Sequence, residues 1–195
     1  MTLITLVRHG QTDWNLARRI QGTTDIPLNE TGRADALRAA DQLSGSVHHT
    51  IYASPLLRAR ETAEIIAAEL GLGAPALVPE IREREFGEGE GMLVPEYLEK
   101  YGDWHAPVPG AESLEEVGER SLAALHRIAR EARRRSAPVA ESVIVVAHGG
   151  VIRSLIDHVS GGTLPKIGDM LANGSVHRFE VSPASVRLLE QARVF

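Results

Sequence analysis

The sequence predicts an α/β fold built on a largely parallel sheet, and the alternation of two hydrophobic patterns supports this prediction. Short β-branched apolar runs such as Leu3–Val7 and Ser142–Ala147 end abruptly in polar residues, as buried strands do at the edge of a sheet. Longer segments between such runs keep apolar residues at helical spacing, for example in the stretch that follows Ser113. Strands that alternate with helices are typical of layered α/β architectures with a parallel sheet.

The composition limits the class of protein. The 195 residues carry 21 Lys and Arg against 26 Asp and Glu, a net charge of −5, and the length suits one domain spanning 1–195. Cysteine is absent, which excludes disulfides, thiolate metal sites and a cysteine nucleophile. The acidic balance argues against nucleic-acid binding. The apolar run Met1–Val7 is too short for a signal peptide or a membrane span, so we expect a cytoplasmic protein without membrane contact.

Helix signals in the first half of the chain are local and clear. Asn29 is a suitable N-cap for a helix over 30–43, and the stretch before it is rich in turn residues. Ser54-Pro55 predicts the start of a second helix, because a cap residue followed by proline is typical of a helix N-terminus, and Gly71 marks its end. The further strands predicted in this half are Thr50–Ala53 and Ala76–Val78.

The second half begins with an irregular segment over 86–110, which glycines and prolines interrupt. This length is unusual for a loop inside a compact domain, so we interpret it as a lid or insertion with a short helix near 95–101. Ser113–Glu116 forms a capping box, which predicts a helix that ends near Arg133–Arg135. The remaining predicted elements are the helix Val151–Val159 and the closing strands Ser175–Val181 and Val186–Gln191.

Polar residues that could carry chemistry follow three of the predicted strands. Ligands in open parallel sheets bind beyond the carboxyl ends of the strands, so neighbouring strands would bring these residues together. Two guanidinium groups can hold the oxygens of a phosphoryl group, and a neutral imidazole can attack phosphorus. The residues concerned are Arg8-His9-Gly10, Ser54 with Arg58, and His148-Gly149-Gly150.

Two other interpretations of these histidines stay open from the residues alone. A single histidine at a strand end is more often structural than catalytic, and His148 alone could be a core residue with satisfied hydrogen bonds. Metal binding is the rival functional interpretation. Zinc ligands usually stand at short fixed spacings, and neither His9 nor His148 has a second histidine at such a spacing, so we predict no metal site.

An ordered set of motifs resembles the histidine phosphatase superfamily, in its phosphoglycerate-mutase-like branch. The matches extend from residue 3 to about residue 155. They comprise Leu6–Asn15 (LVRHGQTDWN), Gln21-Gly22, Leu28–Gly32, Ser54–Ala63 (SPLLRARETA), Glu83 ahead of Phe86-Gly87, Gly110–Ser113 and Val146–Gly150 (VAHGG). The resemblance implies a three-layer α/β/α sandwich with a mostly parallel sheet and a lid insertion over about 86–110.

The resemblance also implies roles for individual residues. His9 would be the nucleophile that becomes phosphohistidine, and Glu83 would be the general acid and base. Reasoning from the residues alone could not choose Glu83 among the acidic residues of its segment. The expected substrate-binding residues are Arg8, Asn15, Gln21, Gly22, Arg58, His148 and Gly149.

The family contains phosphatases and mutases, and the charge of the 86–110 segment favours a phosphatase. Cofactor-dependent mutases carry a lysine and an arginine pair after the catalytic glutamate, whereas the only cation here is Lys100. The segment would therefore repel a second phosphate. Its acidic residues are Glu88, Glu90, Glu96, Glu99 and Asp103.

We therefore expect a phosphatase that acts on small phosphomonoesters with water as the final acceptor and without a cofactor. Its partner would be a small phosphorylated metabolite, and a homodimer through an exposed edge strand stays open. A cofactor-dependent phosphoglycerate mutase is one alternative, and an inactive binding module of the same fold is another. The sequence does not assign roles to His105 and His177.

Overall fold

A six-stranded sheet organises the part of the chain that the computed structural model describes, namely residues 1–137, 141–166 and 169–192. Its strands are β1 (Thr2–Arg8), β2 (Thr50–Ala53), β3 (Ala76–Leu77), β4 (Ser142–Ala147), β5 (Val176–Val181) and β6 (Val186–Glu190). Their order across the sheet is β3-β2-β4-β1-β5-β6. The first four are parallel, and β5 and β6 run antiparallel to their neighbours. The predicted mostly parallel sheet is confirmed.

The sheet register brings three strand ends to one edge. Arg8, the last residue of β1, lies opposite Ala147, the last residue of β4. Ala53, at the end of β2, lies opposite Val146. The polar residues after these strands therefore emerge side by side, as expected for a ligand site at the carboxyl edge of a parallel sheet.

Helices cover both faces of the sheet and complete the three layers. The helices of the described residues are α1 (Asp13–Leu16), α2 (Glu30–Leu43), α3 (Leu57–Leu70), α4 (Val94–Tyr101), α5 (Leu114–Ser136) and α6 (Gly149–Ser160). Side chains of α5 and α6 pack on one face of the central strands, and side chains of α2 and α3 pack on the other. Because both faces are covered, every residue of β4 after Ser142 is buried, and so are all residues of β1 except Leu3 and Arg8. The predicted three-layer α/β/α sandwich is confirmed.

Local capping explains the helix ends that the sequence predicts correctly. The Asn29 side chain accepts a hydrogen bond from the Gly32 amide at 2.9 Å, and α2 covers the predicted range. Ser113 and Glu116 form the reciprocal capping box of α5. Gly71 ends α3 with a φ of 65°, a left-handed conformation that glycine adopts without strain.

Outside the 86–110 segment, three helix starts differ from the prediction. The expectation that Ser54-Pro55 opens a helix is wrong, because α3 begins at Leu57. The Ser54 hydroxyl is instead engaged by His148 and by the Leu56 amide, and Pro55 lies in a bend before the helix. α6 begins at Gly149, two residues before the predicted start. The turn-rich stretch before Asn29 also contains the short helix α1.

The 86–110 segment packs as a small apolar cluster beside the sheet edge. The buried residues of this cluster are Phe86, Tyr97 and Val108 of the segment, together with Ile20. The Tyr97 and Trp104 rings stack with their centroids 5.1 Å apart. The segment contains α4, one residue longer at its start than predicted, and a 3-10 turn over Gly87–Gly89. Across the described ranges, none of the helices combines the length and apolar character needed to cross a bilayer.

Candidate active site

Two histidine rings lie next to each other at the carboxyl edge of the sheet, with their planes tilted by 59°. His9 follows β1 and His148 follows β4, and their ring centroids are 5.2 Å apart. Both rings are buried. Arg8 and Arg58 lie close enough for their charges to lower the pKa of both histidines, although burial is the larger cause. The structure thus brings together the residues that the strand-end argument expected to converge.

Hydrogen bonding fixes which nitrogen of His9 is free. Nδ1 lies 2.7 Å from the carbonyl oxygen of Gly10, and a carbonyl oxygen can only accept. The hydrogen therefore sits on Nδ1, and Nε2 carries the lone pair. Burial, followed by the charges of Arg58 and Arg8, holds the pKa of His9 well below its ordinary range. The ring is neutral at physiological pH, which is the state that a nucleophilic imidazole requires.

Three buried nitrogens of Arg8, Arg58 and His148 have no hydrogen-bond partner among the described residues. They are Nε of Arg8, Nε of Arg58 and Nδ1 of His148. A buried donor without a partner costs free energy, so these three nitrogens are candidates for hydrogen bonds to a ligand. A phosphoryl group offers several acceptor oxygens to such donors.

Backbone carbonyls hold both terminal nitrogens of Arg58 and Nη1 of Arg8. Arg58 donates from Nη2 to Gly22 at 2.7 Å and from Nη1 to Thr24 at 3.1 Å. Arg8 donates to the carbonyl of Leu171. Burial lowers the pKa of Arg58 to about 10, so this guanidinium stays charged at neutral pH.

His148 is held by a hydroxyl at the end of β2. Its Nε2 lies 2.8 Å from Oγ of Ser54. That oxygen already accepts from the Leu56 amide at 3.3 Å, so its own hydrogen can be donated to the ring. In this arrangement Nδ1 of His148 carries the hydrogen that can be donated to an anion.

Glu83 reaches the same edge through the first turn of α6. Its Oε2 accepts from the Gly150 amide at 2.9 Å, and its Oε1 accepts from the Arg84 amide at 2.9 Å. A side chain at position 150 would overlap Oε1, so glycine allows this close approach. The Glu83 charge acts on both Arg8 and Arg58, and its carboxylate is buried.

The other expected binding residues lie around this centre. Asn15 accepts at its Oδ1 from the Thr12 amide and from Asn173, which also donates to the His9 carbonyl. Gln21 accepts from the Thr12 hydroxyl at 2.8 Å, and its buried Nε2 has no partner among the described residues.

The two expected glycines lie in contact with the arginines. The Gly22 carbonyl is the acceptor for Arg58. Gly149 opens α6, and a Cβ there would lie 3.3 Å from Nε of Arg8. His105 is exposed, and His177 is buried on β5.

Sequence reasoning missed two residues that support the site. Asn173 ties the backbone of His9 to the side chain of Asn15, and Glu90 accepts from the amides of Gly22 and Thr24. Both contacts join positions more than sixty residues apart. The acidic run around Glu90 gave no local signal that separates it from its neighbours.

In residues 1–137, 141–166 and 169–192, no three histidine, aspartate or glutamate side chains lie close enough together to hold one metal ion. The candidate donors of the site are instead two guanidinium groups and two imidazoles, which suit an anion.

Comparison with known proteins agrees with this geometry. The chain is 36% identical over 188 residues to the uncharacterized phosphatase PhoE of Bacillus subtilis, covering 96% of this chain and 93% of that protein. It is 34% identical to 2,3-bisphosphoglycerate-dependent phosphoglycerate mutase 2 of Gloeobacter violaceus, covering 86% and 81%. A mycobacterial glucosyl-3-phosphoglycerate phosphatase, solved with VO3, superposes with a TM-score of 0.82 at 26% identity, covering 100% and 97%.

The family signature covers nearly the whole chain. Residues 4–192 match the sequence profile of the histidine phosphatase superfamily, branch 1. The matched range includes both histidines of the site, both arginines and Glu83. Together with the α/β/α sandwich and the charged edge of its sheet, this match shows that the chain belongs to branch 1 of the histidine phosphatase superfamily.

Proposed function

We propose that the protein hydrolyses small phosphomonoesters through a phosphohistidine formed on His9. One observation carries the proposal: Nε2 of a buried, neutral His9 carries a free lone pair beside two charged arginines whose Nε atoms have no partner among the described residues. Nucleophile and anion-binding groups are thus preorganised together.

The first half-reaction transfers the phosphoryl group to the enzyme. Nε2 of His9 forms a bond to phosphorus while the bond from phosphorus to the alcohol oxygen breaks. Glu83, protonated at this stage, gives its proton to the departing oxygen. Arg8 and Arg58 hold the equatorial oxygens and stabilise their charge in the transition state. The Gly10 carbonyl accepts from Nδ1 and stabilises the positive ring that results.

The second half-reaction returns the enzyme to its starting state. Glu83, now a carboxylate, takes a proton from water while the water oxygen attacks phosphorus. The nitrogen–phosphorus bond breaks, and its electron pair returns to Nε2. The net reaction converts one phosphomonoester and one water into one alcohol and one phosphate, and it leaves Glu83 protonated for the next cycle.

Two observations favour water over a second sugar or acid as the acceptor. The similar proteins from Bacillus subtilis and from mycobacteria are described as phosphatases. Lys100, the cation of the 86–110 segment, is exposed, and its Nζ lies 3.6 Å from Oε2 of Glu88. It is therefore paired with a carboxylate at the surface, whereas a mutase needs additional cations around the pocket to hold a second phosphate. Because the chain is also similar to a mutase, phosphoglycerate mutase is the second candidate function. That function predicts rapid interconversion of phosphoglycerate isomers when a bisphosphorylated cofactor is added.

His9→Ala tests the proposal with an aryl phosphate as the substrate. We expect the variant to lose at least about a thousandfold in kcat, because a nucleophile cannot be replaced by binding groups alone. Circular dichroism checks that the variant is folded, and His105→Ala, an exposed histidine of the 86–110 segment, is the matched control. Retention of activity in His9→Ala would show that another group attacks phosphorus.

A further inference from the structure

One acidic residue of the 86–110 segment reaches the active site. Oε1 of Glu90 accepts from the Gly22 amide at 2.9 Å and from the Thr24 amide at 3.1 Å, and its Oε2 lies 3.1 Å from the Gly22 amide. Its neighbours in the segment behave differently. Glu88 is exposed near Lys100, and Glu96 accepts from an amide of its own helix start.

The loop from Gly22 to Thr24 is held between two opposite charges. Arg58 donates to the carbonyls of Gly22 and Thr24, while Glu90 accepts from the amides of the same two residues. Burial lowers the pKa of Arg58, and the charges of Glu83, Asp25 and Glu90 partly oppose this effect. The carboxylate of Glu90 therefore lies next to the guanidinium expected to hold the phosphoryl group.

The two ends of a bound substrate would meet different charges in this arrangement. The phosphoryl end meets the positive charges of Arg8 and Arg58. The backbone amides beside it, which could otherwise bind an anion, already donate to Glu90. A second anionic group placed there would find the amides of Gly22 and Thr24 already engaged and would meet the like charge of Glu90, which is unfavourable in a partly buried site.

We propose that Glu90 is a specificity residue that restricts the enzyme to phosphomonoesters whose alcohol portion carries no second anionic group. The substrate class that fits is the phosphate ester of a small neutral alcohol. This proposal rests on the proposed phosphatase function and goes beyond it, because it assigns the part of the substrate remote from phosphorus.

A matched pair of substrates tests the proposal. Glycerol 3-phosphate and 3-phosphoglycerate differ only in a neutral hydroxymethyl group or a carboxylate, so the ratio of their kcat/KM values reports the cost of the second charge. We expect the wild type to favour glycerol 3-phosphate. Glu90→Gln removes the charge but keeps an oxygen that can accept from Gly22 and Thr24. It should lower the ratio by about tenfold or more, mainly through a smaller KM for the carboxylate substrate.

Glu88→Gln is the control, because it makes the same charge change at an exposed position of the same segment. Its ratio should equal that of the wild type. The proposal is overturned if Glu90→Gln leaves the ratio unchanged, or if the wild type hydrolyses both substrates equally well.

Failure of the phosphatase function would give a different result. In that case the aryl phosphate would not be hydrolysed by the wild type. Calorimetry then tests Glu90 without turnover. It measures the dissociation constants of glycerol 3-phosphate and 3-phosphoglycerate with His9→Ala and with His9→Ala/Glu90→Gln. An equal preference in the two proteins overturns the role of Glu90, and a preference for the neutral ligand that Glu90→Gln abolishes supports it.

Discussion

Buried histidines that are held neutral are the main chemical feature of the molecule at the scale of residues. Burial is the first cause of the lowered pKa at His9, His148 and His177. At His9 this keeps a lone pair on Nε2, where the proposed reaction needs it. The lowered pKa of His177 has no part in the proposed reaction, since this ring lies on β5, where its Nε2 is hydrogen-bonded to the Ser175 hydroxyl.

His177 gives a prediction for stability against pH. Its Nδ1 accepts from the Ala192 amide at 3.3 Å, and burial followed by the Arg8 charge lowers its pKa from 6.5 to about 4. Below pH 6.5 the unfolded chain takes up a proton that the folded protein does not. This histidine should therefore reduce the free energy of unfolding by about 1.4 kcal/mol per pH unit as the pH falls toward its folded pKa.

Urea unfolding at a series of pH values checks this prediction. His177→Gln should flatten the pH dependence relative to the wild type, because glutamine does not titrate in this range. The same slope in the wild type and the variant would contradict the assignment of this part of the acid sensitivity to His177.

At the scale of elements, one helix positions the segment that carries the proposed general acid. Arg120 on α5 donates to the carbonyls of Glu80, Arg82 and Glu83, and it pairs through two nitrogens with the carboxylate of Glu112. A planar guanidinium can make all these contacts at once, whereas an ammonium cannot. Arg120 is therefore a positioning residue for Glu83.

Arg120→Gln should affect substrates according to their leaving groups. An alkyl phosphate needs proton donation to its departing oxygen, so its kcat/KM, which reports the steps up to release of the alcohol, should fall by about ten- to a hundredfold when Glu83 is displaced. An activated aryl phosphate needs no such proton in these steps, and its kcat/KM should change by only about twofold. Arg127→Gln on the same helix, which removes a half-exposed pair with Glu80, is the control. Equal losses for both substrates would indicate a general structural defect instead.

Local signals explain which elements could be predicted from the sequence. Asn29, Gly71 and the Ser113–Glu116 box act within one turn of the chain, and the helix ends that they mark were predicted correctly. The predicted start of α3 is wrong, because the Ser54 side chain is engaged by His148, which lies 94 positions away in the sequence. The role of Glu90 escaped prediction for the same reason, since its partners lie on another loop.

At the scale of the whole molecule, charge is divided between an acidic exterior and a small positive centre. The chain carries a net −5, yet the edge of the sheet places Arg8 and Arg58 beside two neutral histidines. The strand-end argument predicted this centre, because parallel strands β1, β2 and β4 are neighbours and end at one edge. The sheet topology therefore explains how distant segments combine into one positively charged centre.

The central claim is a phosphoryl group carried by His9, and trapping that intermediate tests it most directly. Glu83→Gln should accumulate it with an activated aryl phosphate, because phosphoryl transfer to His9 needs no acid there while attack by water loses its base. The protein is quenched in alkali and examined by mass spectrometry. We predict an acid-labile phosphoryl group on the peptide containing His9. Phosphorylation of another residue, or no phosphoryl group on a variant that still releases the aryl alcohol, would contradict the proposed mechanism.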